Sequence, residues 1–262
     1  MDLSDNQLKS IDLSNNIVLA ELYLRENQLT SIDIRTNTSL TELSFYKNQL
    51  ESIDVSANTA LTSLGLTFNK LTNIDVSANS ALTHLYLSYN QLSSIDVRIN
   101  SVLQGLHVAY NKLTSINLRA NSALKRLTLD YNRLTSIDVS ANLVLDSLNL
   151  RNTGLTRIDV SANSTLRYLD IANNYLTSID VSANSALSRL SITNNDLTSI
   201  NLSANSELDN LYLEQNRMRS VPVGLAGITN TNATINLKSN PFSTSARSQL
   251  NDLKRTYPEL TY

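Results

Sequence analysis

Leucine falls along the chain at intervals of three, two and five residues, as in Leu82, Leu85, Leu87 and Leu92, and the spacing returns 21 residues on at Leu103, Leu106, Val108 and Leu113. Around Leu85 and Leu87 the alternate positions hold His84, Tyr86 and Ser88. This is the period of two that sends successive side chains to opposite faces of a strand. One short strand per repeat follows, and strands recurring at a fixed interval in one sense pair in parallel. Further on, Ile95 and Val97 flank Asp96. With Ile95 and Val97 inward and Asp96 outward, this predicts a short extended segment on the opposite side of each coil, and so a second parallel ladder. A unit of 21 residues leaves no room for a helix there.

Two series of asparagines keep the same period. One runs through Asn6, Asn27, Asn48, Asn69, Asn90, Asn111 and Asn132, breaks at Thr153, and resumes at Asn174, Asn195 and Asn216. The other runs from Asn16 through Asn37, Asn58, Asn79, Asn100, Asn121, Asn142, Asn163 and Asn184 to Asn205 without a break. Turns with few glycines have buried amides that need side-chain partners, and asparagine offers an acceptor and two donors with which to bond backbone of its own coil and the next. Leu82-x-x-Leu85-x-Leu87-x-x-Asn90-x-Leu92 is the leucine-rich repeat signature. The expected architecture is a β-dominated α/β repeat solenoid, a right-handed arc of about eleven coils. Its parallel sheet lines the concave side, with short extended segments on the convex side.

Units such as Leu61 to Lys70, followed by Leu71-Thr72-Asn73-Ile74-Asp75-Val76-Ser77-Ala78-Asn79, resemble the short 21-residue repeats of the internalin-J-like bacterial subclass. The resemblance covers roughly residues 1–221, although many such repeats put cysteine where this chain puts asparagine. It implies a secreted or cell-surface module for adhesion and recognition. No signal peptide is read at the start, since Met1 is followed by Asp2 and Leu3 instead of a basic segment.

Residues 222–262 differ from the repeats and read as a divergent last repeat and C-terminal cap. All three prolines, Pro222, Pro241 and Pro258, lie there. Ile235 to Phe242 reads as a last strand and turn, and Ser243 to Arg255 as a short helix capped by Ser243 or Thr244, with Leu250 and Leu253 on one side. The Asn240-Pro241-Phe242 turn and trailing helix are similar to the closing repeat of bacterial leucine-rich effectors with ubiquitin-ligase domains. That likeness makes the alternative reading a substrate-recognition fragment of a secreted effector whose catalytic domain lies elsewhere. At the other end Met1 and Leu3 already occupy core strand positions without a cap, so fraying of residues 1 to 20 or end-to-end self-association is expected.

Composition removes several functions. The chain has 46 leucines and 34 asparagines but no cysteine, which excludes disulfides, thiolate chemistry and Cys-ligated zinc. A net charge of -2 gives no global reason to bind nucleic acid, and no apolar run suits membrane insertion. His84 and His107 face outward on neighbouring strands without a third ligand, so no metal, cofactor or catalytic site is expected. On the convex side, Asp12, Asp33, Asp54, Asp75, Asp96, Asp138, Asp159 and Asp180 form a row completed by Asn117 and Asn201. Bonds from turn amides or from the following Ser and Arg35, Arg98 and Arg119 would explain it, and a row of weak cation sites is the alternative. Thr30, Thr72, Thr114, Thr135, Thr156, Thr177 and Thr198 form an ice-binding-like row, but Glu51 and Arg219 interrupt it.

The tyrosines carry the functional signal. Phe68, Tyr89, Tyr110 and Tyr131 occupy the position before the ladder asparagine in four successive coils, Tyr86 and His107 share a neighbouring column, and Tyr46 and His84 lie beside them. A stacked ladder that merely stabilises the sheet is one explanation. Exposed tyrosines mark recognition surfaces, which is the other. At the later coils the first column turns polar, with Asn152, Asn173, Asn194 and Gln215. A footprint has two ends, so the expected site is the concave surface of residues 44–133, centred on Tyr89 and Tyr110. The expected partner is a protein, with carbohydrate second.

Overall fold

The computed structural model describes residues 1–262, and the chain forms two compact units, 1–133 and 134–262. In the first, β1 (Glu21–Tyr23), β2 (Glu42–Ser44), β3 (Ser63–Gly65), β4 (His84–Tyr86), β5 (Gly105–His107) and β6 (Arg126–Thr128) pair in parallel and in chain order. The second repeats the arrangement with β7 (Ser147–Asn149), β8 (Tyr168–Asp170), β9 (Arg189–Ser191), β10 (Asn210–Tyr212), β11 (Thr234–Asn236) and β12 (Leu260–Thr261). Pairing follows the period in the sequence, with Leu64 opposite Leu85 and Leu85 opposite Leu106. Each unit is therefore a parallel β-solenoid of leucine-rich coils.

One coil shows how the core is filled. Leu82, Leu85, Leu87, Leu92 and Val97 are all fully buried. Truncating a leucine in such a site costs about 2–5 kcal/mol. Ile95, expected inside with them, is only half-buried.

The expected second ladder does not form, apart from an isolated bridge between Asn201 and Val223. The reason is local. In successive coils the carboxylate of Asp54, Asp75 or Asp96 accepts the N–H of the residue two positions on, Ser56, Ser77 or Arg98, at 2.9–3.0 Å. An amide engaged in its own coil is not offered to the next, and Asn117 and Asn201 accept from Arg119 and Ser203 in the same way. The aspartate row is thus a series of Asx turns, and bonds from the hydroxyl and the amide of the serine two positions on keep the carboxyls of Asp12, Asp54, Asp75, Asp159 and Asp180 below the usual range. Beside Asp33 and Asp96 the side chains of Arg35 and Arg98 add bonds that bring the carboxyls to about 2.

Asparagine holds the coils together, reaching back to the preceding coil where the forward one was expected. The Asn111 Oδ1 accepts from Leu92 N at 2.9 Å, while Nδ2 donates to Leu87 O at 2.9 Å and Val108 O at 3.1 Å. On the far turn, Asn100 Nδ2 donates to Val76 O and Asn79 O of the previous coil. Thr153, in place of a ladder asparagine, holds its hydroxyl within bonding distance of both Leu150 O and Asn174 Oδ1, to either of which it can donate.

The chain closes with α1 (Thr244–Leu253), whose N-cap Ser243 accepts from Ala246 N and whose Leu250 is buried. Tyr257, fully buried behind it, donates to Ile228 O. Where the divergent repeat crosses its neighbour, Gly224 adopts φ 80, and a Cβ there would collide with the Ser203 amide. Only glycine fits both constraints.

Two outcomes follow from these turns. Asn111→Ala should lower unfolding stability by about 1–3 kcal/mol by orphaning buried backbone groups; equal denaturation midpoints for variant and wild type would remove the role given to the ladder. The aspartates titrate low when folded, so their stabilisation is present above the unfolded value of 3.8 and is lost as pH falls through the folded values, down to about 2 at Asp33 and Asp96. Replacing Asp54, Asp75, Asp159 and Asp180 with asparagine should flatten the fall of Tm on acidification, because the Asx turn survives without the titrating group.

Candidate functional site

The aromatic positions sit where each coil leaves its strand. Backbone pairing continues briefly, with Tyr89 N bonding Ala109 O and Tyr110 N bonding Asp130 O at 2.8 Å. The chain then enters the left-handed region at Phe68, Tyr89, Tyr110 and Tyr131, with φ of 58, 56, 54 and 53. Their rings stack in sequence at centroid distances of 4.0, 4.1 and 4.2 Å. Tyr46 closes the column edge-on against Phe68 at 5.6 Å.

Left-handed backbone costs a residue with a side chain about 1–2 kcal/mol, and asparagine is one of the few that tolerate it. Each offset stack contributes about 0.5–1.5 kcal/mol beyond ring burial. The two effects are of one size, so stacking offsets the strained turns and leaves little surplus to explain the choice of aromatics. Asn152, Asn173 and Asn194 make the same turn with the residue it favours. The rings nevertheless remain open to solvent, Phe68 at 39% and Tyr89 and Tyr110 at 38%. The Tyr110 phenol is pushed well above its ordinary range by desolvation and by bonds with the Tyr89 and Tyr131 hydroxyls, so it stays protonated.

A second row lies on the strands, where Tyr86 stacks on His84 at 6.1 Å and on His107 at 5.0 Å. Gly105 permits it, since a Cβ there would lie 2.9 Å from His84 Cδ2. Thr128 Oγ1 meets His107 Nδ1 at 3.1 Å.

Beside these rows lies an open depression of roughly 530 Å3, which sequence reading missed. Gly65 and Ser44 form its floor, Tyr46 and Tyr86 its aromatic walls, and Arg25 its cationic rim. The signal was the small size of residues 44 and 65 in a column that elsewhere carries Tyr23, Tyr86 and His107. The Arg25 Nε donates to Ser44 Oγ at 3.0 Å, which holds the guanidinium at the rim. In the second unit, Arg189 lies between the rings of Tyr168 and Tyr212, 5.1 Å from each centroid.

Comparison with known proteins agrees with the repeat fold. The Leucine Rich Repeat family model matches residues 81–101 and 165–185. The functional domain of the internalin InlJ from Listeria monocytogenes, which includes a cysteine ladder, superposes with a TM-score of 0.83 at 32% identity, over 87% of this chain and 50% of that one. The chain thus spans half the length of that structure. A leucine-rich repeat protein of Leptospira interrogans aligns at TM-score 0.81 and 24% identity, over 98% of this chain and 75% of that one. A plant peptide hormone receptor in complex with RGF2 aligns at 0.72 and 24%, over 92% and 47%. The last two likenesses show the fold alone. No curated protein sequence matches the chain.

The histidine row supplies a titration check. Burial, then the His84 and Arg126 charges, lower the His107 pKa from its ordinary 6.5. The unfolded chain therefore takes up the proton first, so stability is complete above about pH 6.5 and declines as pH falls below it. An NMR titration should place the His107 midpoint below that of an unstructured histidine, and a midpoint at or above it would contradict the burial.

Proposed function

Because the chain is a leucine-rich repeat protein whose coils follow the short 21-residue, internalin-like pattern, we propose that it is a non-catalytic recognition module that binds a protein partner on the strand face of its first unit. One observation carries this reading. Four successive coils place aromatic rings in left-handed turns, and three of these rings, Phe68, Tyr89 and Tyr110, stay more than a third exposed, although asparagine would fold the same turns at less cost. Tyrosine suits an interface because it brings large contact area with only two side-chain torsions to order. The depression bounded by Arg25, Tyr46 and Tyr86 adds a recess where a protruding partner side chain would anchor, as buried anchors do at hot spots. Six strands at about 4.8 Å span about 25 Å, in keeping with a standard interface. Recognition of a peptide by a repeat of this fold is exemplified by the plant receptor in complex with RGF2. Likeness to the Listeria protein favours a secreted or surface-attached bacterial module, and no helix is long and apolar enough to cross a membrane.

The test is a double variant, Tyr89→Asn with Tyr110→Asn, measured for partner binding and thermal melting together. If these rings are hot spots, affinity should fall by about 2 kcal/mol or more while the melt changes little, since asparagine is native to this turn. Unchanged affinity with a strongly lowered melting temperature would mean that the column serves only the fold.

A further inference from the structure

The second unit carries a different surface. One position beyond the ladder asparagine, most coils hold a long polar residue that bonds to its neighbour, as Lys70 Nζ does to Gln49 Oε1 at 3.3 Å and Lys112 Nζ to Gln91 Oε1 at 3.2 Å. In the second unit this column holds Tyr175, 64% exposed and the most open tyrosine in the chain. The residue one coil before it is Gly154. With no side chain at Gly154, nothing in the column covers the ring from that direction.

The departure continues through the adjoining turn. Thr153 N, Gly154 N and Leu155 N converge on Asn174 Oδ1 at 2.9–3.2 Å, with Thr153 Oγ1 3.0 Å from the same oxygen. At the regular coils this oxygen accepts the leucine amide, as Asn195 Oδ1 accepts Leu176 N. The turn is drawn down onto the ladder, and Gly154 follows it with φ 92. Two successive breaks in the repeat therefore clear the ground beside one tyrosine.

Alongside that ring lies an open depression of roughly 370 Å3 walled by Asn152, Asn173, Tyr175, Asn194, Asp196 and Arg217. Asn194 Nδ2 donates to Asn173 Oδ1 at 2.9 Å, and Arg217 pairs with Asp196 at 2.6 Å. Asn152 and Asn194 are exposed and Asn173 is half-buried, so these walls present side-chain amides with bonding capacity beyond the one Asn194–Asn173 contact. The site combines an uncovered aromatic face with a rim of planar groups that donate and accept side by side.

We propose that this depression binds a neutral pyranose of a glycan chain. A pyranose has one face of C–H groups, which packs on an aromatic ring, and an edge of hydroxyls, each both donor and acceptor, which matches a rim of amides. The charges favour it over the alternatives. An anionic ligand would meet Asp196 while Arg217 is already paired, and an apolar side chain would leave the amides desolvated without partners. The site is built entirely from residues of the second unit and does not rest on the reading given to Tyr89 and Tyr110.

Saturation-transfer NMR and titration test it, using cellohexaose, maltohexaose and chitohexaose as polysaccharide fragments and a mannose-rich N-glycopeptide for glycans carried on protein. At least one probe should bind in the millimolar range, with transfer concentrated on the C–H face of one ring, and the responding arm identifies the source. Tyr175→Gln installs the residue found at Gln28, Gln49 and Gln91, so the fold and Tm should be kept while affinity falls about tenfold or more. Asn173→Gly, which suits the left-handed turn, should also weaken binding, and Tyr89→Asn with Tyr110→Asn should not. The proposal is overturned if no probe shows transfer at millimolar concentration, if Tyr175→Gln binds as wild type does, or if binding is lost in the Tyr89 and Tyr110 variant.

Discussion

Each coil depends on a buried primary amide that reaches back one repeat. At the strand end, a single asparagine serves an N–H and a carbonyl of the previous coil, as Asn69 does for Leu50 N and Phe45 O. With no helix to absorb polar backbone, that side chain is what allows the chain to turn inside an apolar stack. The constraint also fixes the repeat length, because the amide must meet positions 19 and 24 residues earlier. Adding or deleting one residue in a coil would break both bonds and move the leucines out of register.

The far turn uses the same residue differently. Its own amides are served locally, with Asn58 N bonding Val55 O and Leu61 N bonding Asn58 O. Only carbonyls of the previous coil need donors, which Asn58 Nδ2 supplies to Ile34 O and Asn37 O. The Oδ1 atoms of Asn58, Asn79 and Asn100 are consequently buried without a hydrogen-bond partner. Such an acceptor carries a desolvation cost, so the far series is bound less completely than the strand-end series despite its unbroken run in the sequence.

Legibility followed periodicity. The parallel strands, their register and the buried leucines could be read because spacing alone determines which side chains share a face, and Ser243 was legible as an N-cap from its place before an apolar helical stripe. The second ladder was misjudged because an Ile-Asp-Val alternation looks like a strand, whereas the aspartate's short side chain captures the amide a ladder would use. The two-residue strand at Leu260 and Thr261 was too short to show a period. In the candidate site, the aromatic columns stood out because large residues at outward positions are conspicuous. The recess over Gly65 and the bared ring beside Gly154 did not, since both are made by side chains that are missing and become visible only when neighbouring coils are placed side by side.

The strict one-coil reach of the asparagines bears on how such a protein changes in length. A recombination event that adds or removes 21 residues within a regular stretch of a unit keeps the asparagine bonds between coils in register, whereas a smaller event breaks those at its site. Growth is therefore quantised in whole coils. Within the first unit, a coil added between Tyr89 and Tyr110 would move the Tyr110 and Tyr131 end of the column away from the Gly65 recess by one strand spacing, about 4.8 Å. Copy number thereby becomes a way to retune the distance between two contact points without altering a single residue that touches a ligand.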